Sequence, residues 1–278
     1  MTQIKRNKRF TALVLAADRT ANDPITLYTG VPCKAIAPVC GTPMIIRVLD
    51  VLAASDLVSS TILCGPPESF LPACPELKHR IESGQVTWLP NLNSPARSAE
   101  SGFKLLDKDT PVLLTTADHA LLTPTTLEYF LNQSYAANAD ATVGLVKHED
   151  MMTAFPGTKR TVTRLRDGGF CGCNLFTFNP RGRELVTFWR QAEDMRKRPW
   201  RLILQILGLR MVLAYLLGSL TLKQALKAVS EKSRVNIQAV ILPDPQAGID
   251  VDSVKDLQFA EMILTKTAAS SHNQNKST

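Results

Sequence analysis

The chain of 278 residues has no GxxxxGK[ST] loop and no GxGxxG turn, which excludes both a P-loop and a dinucleotide-binding fingerprint. It also has no CxxC pair and no histidine at zinc-like spacing from its six cysteines, Cys33, Cys40, Cys64, Cys74, Cys171 and Cys173. Those cysteines fall mostly in apolar stretches, so they read as reduced thiols of a cytoplasmic protein, and Cys171-Gly172-Cys173 as two small residues on a strand. Aromatic residues make up only 6%, and of them only Trp200 falls inside a basic run, which argues against a nucleic-acid partner. The apolar run Leu202–Leu217 is too short to span a bilayer, which needs about 20 residues, and Gln205 and Arg210 interrupt it. The basic amino terminus is followed by no apolar h-region with a small-residue cleavage site, so no signal peptide is expected.

What is present is ordinary for a soluble globular protein: 45% hydrophobic and 21% charged residues, with a net charge of +7. The positive balance fits an anionic substrate, an anionic membrane surface or a nucleic acid, and does not choose among them. Part of it sits in Lys5, Arg6, Lys8 and Arg9, and part in Arg196, Lys197, Arg198 and Arg201. The expected organisation is a basic arm over 1–9, one domain over 10–267 with a helical insertion at about 182–233, and a disordered tail over 268–278.

Within the domain, short apolar runs alternate with helical ones. Strands are expected at Ala12–Ala17, Thr61–Cys64, Val86–Leu89 and Pro111–Ala117, and helices at about 43–54, 96–106 and 124–137. Thr42-Pro43 and Thr123-Pro124 both have the N-cap-then-proline form of a helix start. Thr161–Leu165 and Cys171–Phe178 read as two strands around the turn 166–169, and Asn236–Leu242 as a further strand. Ser253-Val254-Lys255-Asp256 has capping-box form and opens a last helix through about Lys266. Strand–helix alternation implies a mostly parallel α/β sheet, with ligands off the carboxyl ends of its strands.

Three segments at those ends carry candidate chemistry. After the first strand, Leu15-Ala16-Ala17-Asp18-Arg19 runs through a loop to Gly30-Val31-Pro32-Cys33-Lys34, then Pro38-Val39-Cys40-Gly41-Thr42-Pro43-Met44. Backbone N–H groups with Arg19 and Lys34 there could surround a triphosphate. Asp118 closes the strand 111–117 and can act as a metal ligand or as a structural cap. In Gly248-Ile249-Asp250-Val251-Asp252-Ser253, the carboxylates of Asp250 and Asp252 lie two apart and so face one way, although Asp252 or Ser253 could equally cap the final helix.

Taken together, these segments resemble the signature of the molybdopterin-guanylyltransferase-like and sugar-phosphate nucleotidyltransferase superfamily. The resemblance covers about 10–180 and 237–265. Asp18 stands where that family usually has glycine, Cys33 where it has proline before the lysine, and Val254 where it has proline. The resemblance implies a three-layer, mostly parallel twisted sheet of the Rossmann-like nucleotidyltransferase, GT-A type. It implies nucleotide contacts from Leu15, Ala16, Ala17, Lys34 and Asp118, catalytic cations Lys34 and Arg19, and Mg²⁺ on Asp118 and Asp250. Ser98, matched through Gly102, would hold the base as in cytidylyltransferases of this fold, or the segment is simply a helix N-terminus. Arg160 and Asn174, with Lys159 and Arg164, would line the acceptor side. The implied reaction moves an NMP group from an NTP to a small phosphorylated acceptor, with CTP and a polyol or sugar phosphate favoured and guanylyl transfer to a molybdopterin-like acceptor next.

Two other classes stay open. Asp250-Val251-Asp252 is itself the Asp-x-Asp of metal-dependent glycosyltransferases, and Asp18 for glycine is compatible with a non-catalytic nucleotide-binding regulator. The 196–217 segment packs on the core, joins a homodimer or lies on an anionic membrane.

Overall fold

The computed structural model describes residues 9–16, 23–194 and 199–274. Along the first strand, β1 (Phe10–Leu15), side chains alternate between two cores, Ala12 and Val14 entering one and Leu13 the other. That is the period of two expected of a strand covered on both faces. The chain continues through α1 (Pro24–Thr29), a hairpin of β2 (Pro38–Val39) and β3 (Thr42–Pro43), α2 (Met44–Ala53), β4 (Val58–Cys64), α3 (Pro75–Glu82), β5 (Thr87–Leu89) and α4 (Pro95–Lys104). There follow β6 (Val112–Thr116), α5 (Pro124–Ala136), β7 (Ala141–Lys147), α6 (His148–Ala154), β8 (Thr163–Leu165) and β9 (Gly168–Phe178). The last part holds α7 (Leu185–Asp194), α8 (Pro199–Leu216), α9 (Leu222–Ser233), β10 (Ile237–Ile241) and α10 (Val254–Gln274).

The main sheet runs β10-β7-β9-β6-β1-β4-β5, with β8 paired to β9. β9 is antiparallel to both its path neighbours, and the other pairs along the path are parallel. Leu15 lies level with Cys64 on one side and Thr116 on the other, so β1, β4 and β6 finish on one edge. The loops leaving that edge build the candidate site.

A third core lies beyond the edge. Ile25 of α1, Val39, Met44, Ala120, Leu121, Ile249, Val251 and Leu257 of α10 are all buried in it. It fastens a segment near the end of the chain to the loops after β1 and β6. Fully burying a side chain such as Ile or Val is worth about 1.5–3 kcal/mol, so the seam is more than a surface contact.

Several boundaries differ from the sequence-based expectation. Cys40 (φ 49°) and Gly41 (φ 79°) form a two-residue turn pairing Pro38–Val39 with Thr42–Pro43. Thr42-Pro43 therefore ends a hairpin and α2 starts one residue later, at Met44, without a side-chain cap. The second Thr-Pro start holds as expected, with the Thr126 N–H donating to Thr123 Oγ1 at 3.2 Å. The segment expected as a disordered tail from 268 is helical as far as Gln274, since no glycine or proline interrupts it after Val254. The described residues between 185 and 233 form mainly the helices α7, α8 and α9, and α8 is broken at Gly208 (φ 77°, ψ 159°).

Candidate active site

Asp118 sits two residues beyond β6, and three contacts fix it there. Thr116 Oγ1 donates to Asp118 Oδ1, the Ala117 N–H donates to Leu15 O at 2.9 Å, and the Asp118 carbonyl accepts the Val251 N–H at 3.1 Å. The last of these docks the extended stretch Ile249–Asp252 beside it. Ile249 and Val251 point into the third core, so Asp250 and Asp252 turn outward on the opposite face.

Lys34 completes the cluster from the other side. It lies just past the buried Cys33, and its Nζ is 2.7 Å from Asp118 Oδ2 and 2.7 Å from Asp252 Oδ1. Burial disfavours its charge, but Asp118 and Asp252 outweigh that and raise its pKa above the usual lysine value. Lys34 is therefore a fixed cation between two carboxylates.

Asp250 is held separately. Its Oδ1 accepts from Arg160 Nη1 at 2.9 Å, and its Oδ2 from Asn174 Nδ2 at 3.2 Å. Arg160 Nη1 also donates to the Asp250 carbonyl, and Nη2 lies 2.8 Å from Asp256 Oδ1 in the first turn of α10. Burial, then the charges of Asp252 and Asp118, raise the Asp250 pKa against the pull of Arg160. Asn174 has φ 49°, where the β7–β9 register shifts. Asparagine tolerates that left-handed conformation, and the bulge aims its amide at Asp250. Arg160 and Asn174, expected on the acceptor side, do line a polar cavity of about 400 Å³ with Lys159, Thr163, Asp250 and Asp252. Arg160 Nη1 and Asn174 Nδ2, however, are directed at Asp250, and Arg160 Nη2 at Asp256.

At the end of β1, the Ala16 N–H donates to Cys64 O at 2.9 Å, tying β1 to β4 where the strands end. Gly65 follows at φ 86°, and a Cβ there would meet Ala16 O at 3.1 Å and Asn91 Cβ at 3.2 Å. Its glycine allows this close approach. Ser98 is buried, and its Oγ accepts the Leu92 N–H at 2.9 Å. The hydroxyl thus braces the 90–94 loop by accepting this bond. Leu15 ends β1 at this edge, whereas Ala17 and Arg19 lie outside the described residues. The loop that carries them is not wholly open, because α1 occupies Pro24–Thr29, capped by Asp23 Oδ1 accepting the Ile25 N–H at 2.8 Å.

His119 is fully buried, and neither ring nitrogen makes a hydrogen bond among the described residues. Burial lowers its pKa to about 4, with Asp118 and the Ala247 backbone opposing in part. It packs beneath the site as a neutral ring.

The carboxylates present a hard oxygen set suited to Mg²⁺. Among the described residues no group of three or more His, Cys, Asp or Glu side chains forms a ready-made metal cage. Mg²⁺ ordinarily takes one or two carboxylates and completes its shell with water and substrate phosphates, so Asp118 with Asp250 or Asp252 fits that ion.

Sequence reasoning did not assign Thr116 as the group orienting Asp118, nor Asp256 as a partner of Arg160. The Thr-x-Asp spacing was available as a signal for the first. The second pairing crosses 96 positions of chain and leaves no local trace.

The profile of the MobA-like NTP transferase domain matches residues 12–235. It runs through the 182–233 insertion and stops before the Asp250–Asp252 segment. A hypothetical transferase of Thermus thermophilus is 30% identical, with a TM-score of 0.74 over 90% of this chain and 99% of that chain. The 4-diphosphocytidyl-2C-methyl-D-erythritol synthase of Anaerococcus prevotii DSM 20548 is 14% identical, with a TM-score of 0.57 over 93% and 99%. A CMP:2-keto-3-deoxy-manno-octonic acid synthetase complexed with CTP is 11% identical, with a TM-score of 0.58 over 93% and 99%. The latter two likenesses concern the fold. No curated protein matches.

Proposed function

The chain belongs to the MobA-like NTP transferase family, and on that footing we propose that it moves an NMP group from an NTP to a small phosphorylated acceptor, with release of pyrophosphate. The supporting observation is the Lys34 ammonium held 2.7 Å from both Asp118 and Asp252, at the carboxyl edge of the sheet and beside a polar cavity of about 400 Å³.

In the proposed reaction, an oxygen of the acceptor phosphate attacks the α-phosphorus of the NTP in line. The bond from that phosphorus to the β-phosphate oxygen breaks, and pyrophosphate leaves with the electron pair. A phosphate monoester is already largely ionised at neutral pH, its second pKa being ~6, so the site needs no strong general base. Lys34, held at the site by its carboxylate partners, neutralises charge on the α-phosphoryl group and the leaving group. Arg19 serves beside it in this reading. Asp118 and Asp250 would hold Mg²⁺, which when bound supplies charge neutralisation and orientation of the phosphates. Arg160 and Asn174 keep Asp250 in place, and Lys159 faces the acceptor. Most of the catalysis is then positioning and electrostatics.

CTP is the first donor to test, on the likeness of the 94–102 segment to cytidylyltransferases. Because the Ser98 hydroxyl braces the loop, the loop backbone would read the base. Cytoplasmic action accords with six free cysteines, five of them buried.

A thermal-shift screen of the four NTPs, each with and without Mg²⁺, tests the reading. A ligand at a hundred times its Kd stabilises the fold by about 2.7 kcal/mol, which is readily seen. The expected result is a Mg²⁺-dependent shift with one NTP. An absence of any shift would remove the nucleotide from the proposal.

A further inference from the structure

The turn between α8 and α9 carries its leucines outward. Leu209, Leu213, Leu216 and Leu217 follow the i, i+4, i+7, i+8 spacing of a single helical face. Leu209, Leu216 and Leu217 are 64, 73 and 80% exposed, and Tyr215 stands beside them about half exposed. The break at Gly208 separates this stretch from the earlier part of α8. α9, which packs against it, has no buried residue.

The segment that carries these leucines is predominantly basic. From Gly208 to Arg234 the basic residues are Arg210, Lys223, Lys227, Lys232 and Arg234, and the only acid is Glu231. The turn is also anchored beside the candidate site. The Arg166 N–H donates to Leu220 O at 2.8 Å, and Asp167 Oδ1 accepts the Leu222 N–H at 3.0 Å. Arg166 and Asp167 form the β8–β9 turn, and Thr163 of β8 lines the polar cavity.

A second copy is a poor occupant for this face, because a two-fold interface would bring two net-basic segments together. An anionic membrane answers both features, taking leucines into the interface and lysines and arginines onto its phosphates. We propose that the α8–α9 turn docks on an anionic lipid surface, which brings that surface beside the polar cavity.

Co-sedimentation of the full chain with vesicles tests the docking without reference to turnover. The protein is expected to pellet with vesicles of phosphatidylglycerol and phosphatidylcholine at low salt, and to stay in solution with phosphatidylcholine alone. Raising salt to about 1 M, where the screening length is ~3 Å, should weaken the binding. The double variant Leu216→Asp/Leu217→Asp should lose it by about a hundredfold or more. Lys223→Glu/Lys227→Glu should lose at least about tenfold. Both variants should melt like the wild type, since these side chains are exposed.

Failure of the wild type to bind anionic vesicles, or unchanged binding by the leucine variant, overturns the proposal. So does equal binding to neutral vesicles. A dimer in sedimentation equilibrium that the leucine variant dissociates, with no vesicle binding, would give the face to a second copy instead.

Discussion

The carboxyl edge of the sheet and the α8–α9 insertion treat charge in opposite ways. At the edge, each of Lys34, Asp118, Asp250, Asp252 and Arg160 contacts a group of opposite sign, and the backbone beneath is fastened by Ile249 and Val251 in the third core. In the insertion, a predominantly basic segment carries exposed leucines, and the tip is held by hydrogen bonds to the Arg166–Asp167 turn. A group that must meet a phosphate needs its partners fixed before the substrate arrives, whereas a group that meets a soft, extended surface does not. Substitutions should therefore be costly to turnover at the edge and nearly silent for folding stability in the insertion.

The largest effect is expected at Asp118. Asp118→Ala should reduce pyrophosphate release by at least about a hundredfold, the scale seen when one preorganised electrostatic group is lost, with the far-UV spectrum unchanged. Lys34→Ala should lose as much turnover. Wild-type rates in either variant would break the contrast between the two regions and remove both residues from the reaction.

A smaller effect sharpens it from beneath the edge. The folded-state pKa of His119 is lowered to about 4 by burial, against ~6.5 in the unfolded chain. The unfolded state then binds more protons in that window, so the contribution to stability is present above pH ~6.5. It is lost as the pH falls through about 4, and amounts to roughly 3 kcal/mol. Denaturant melts from pH 7 to 4 should show the decline, and His119→Phe should flatten it. An unchanged slope in that variant would place the acid sensitivity elsewhere.

The smallest effect belongs to the insertion. The Lys227–Glu231 pair is 3.8 Å apart with both side chains well exposed. Lys227→Ala should shift stability by no more than about 0.5 kcal/mol. A loss above 1 kcal/mol in a urea melt would mean that the insertion is built more like the edge.

How much of this was legible in the sequence depends on the range of the interaction. The Thr123 cap, the strand–helix alternation and the common facing of Asp250 and Asp252 follow from spacing over a few residues, and the structure shows each of them. The start of α2 was misplaced because Thr-Pro serves a hairpin end as well as a helix start. There the turn at Cys40-Gly41 decided between the two. Ser98 lies in the first turns of α4, and the bond its hydroxyl accepts from Leu92 could not be read from local spacing.

By itself the sequence determined the order of elements and the mostly parallel sheet, because local period and cap chemistry carry that information, while the candidates Lys34, Asp118 and Asp250 came from strand-end position together with the family resemblance. Only the tertiary structure decided which of them meet. Lys34 reaches Asp118 across 84 residues and Asp252 across 218, and Arg160 reaches Asp250 across 90. No local spacing encodes such pairings. They arise when the third core closes the end of the chain onto the loops after β1 and β6 and leaves the carboxylates no other direction in which to turn.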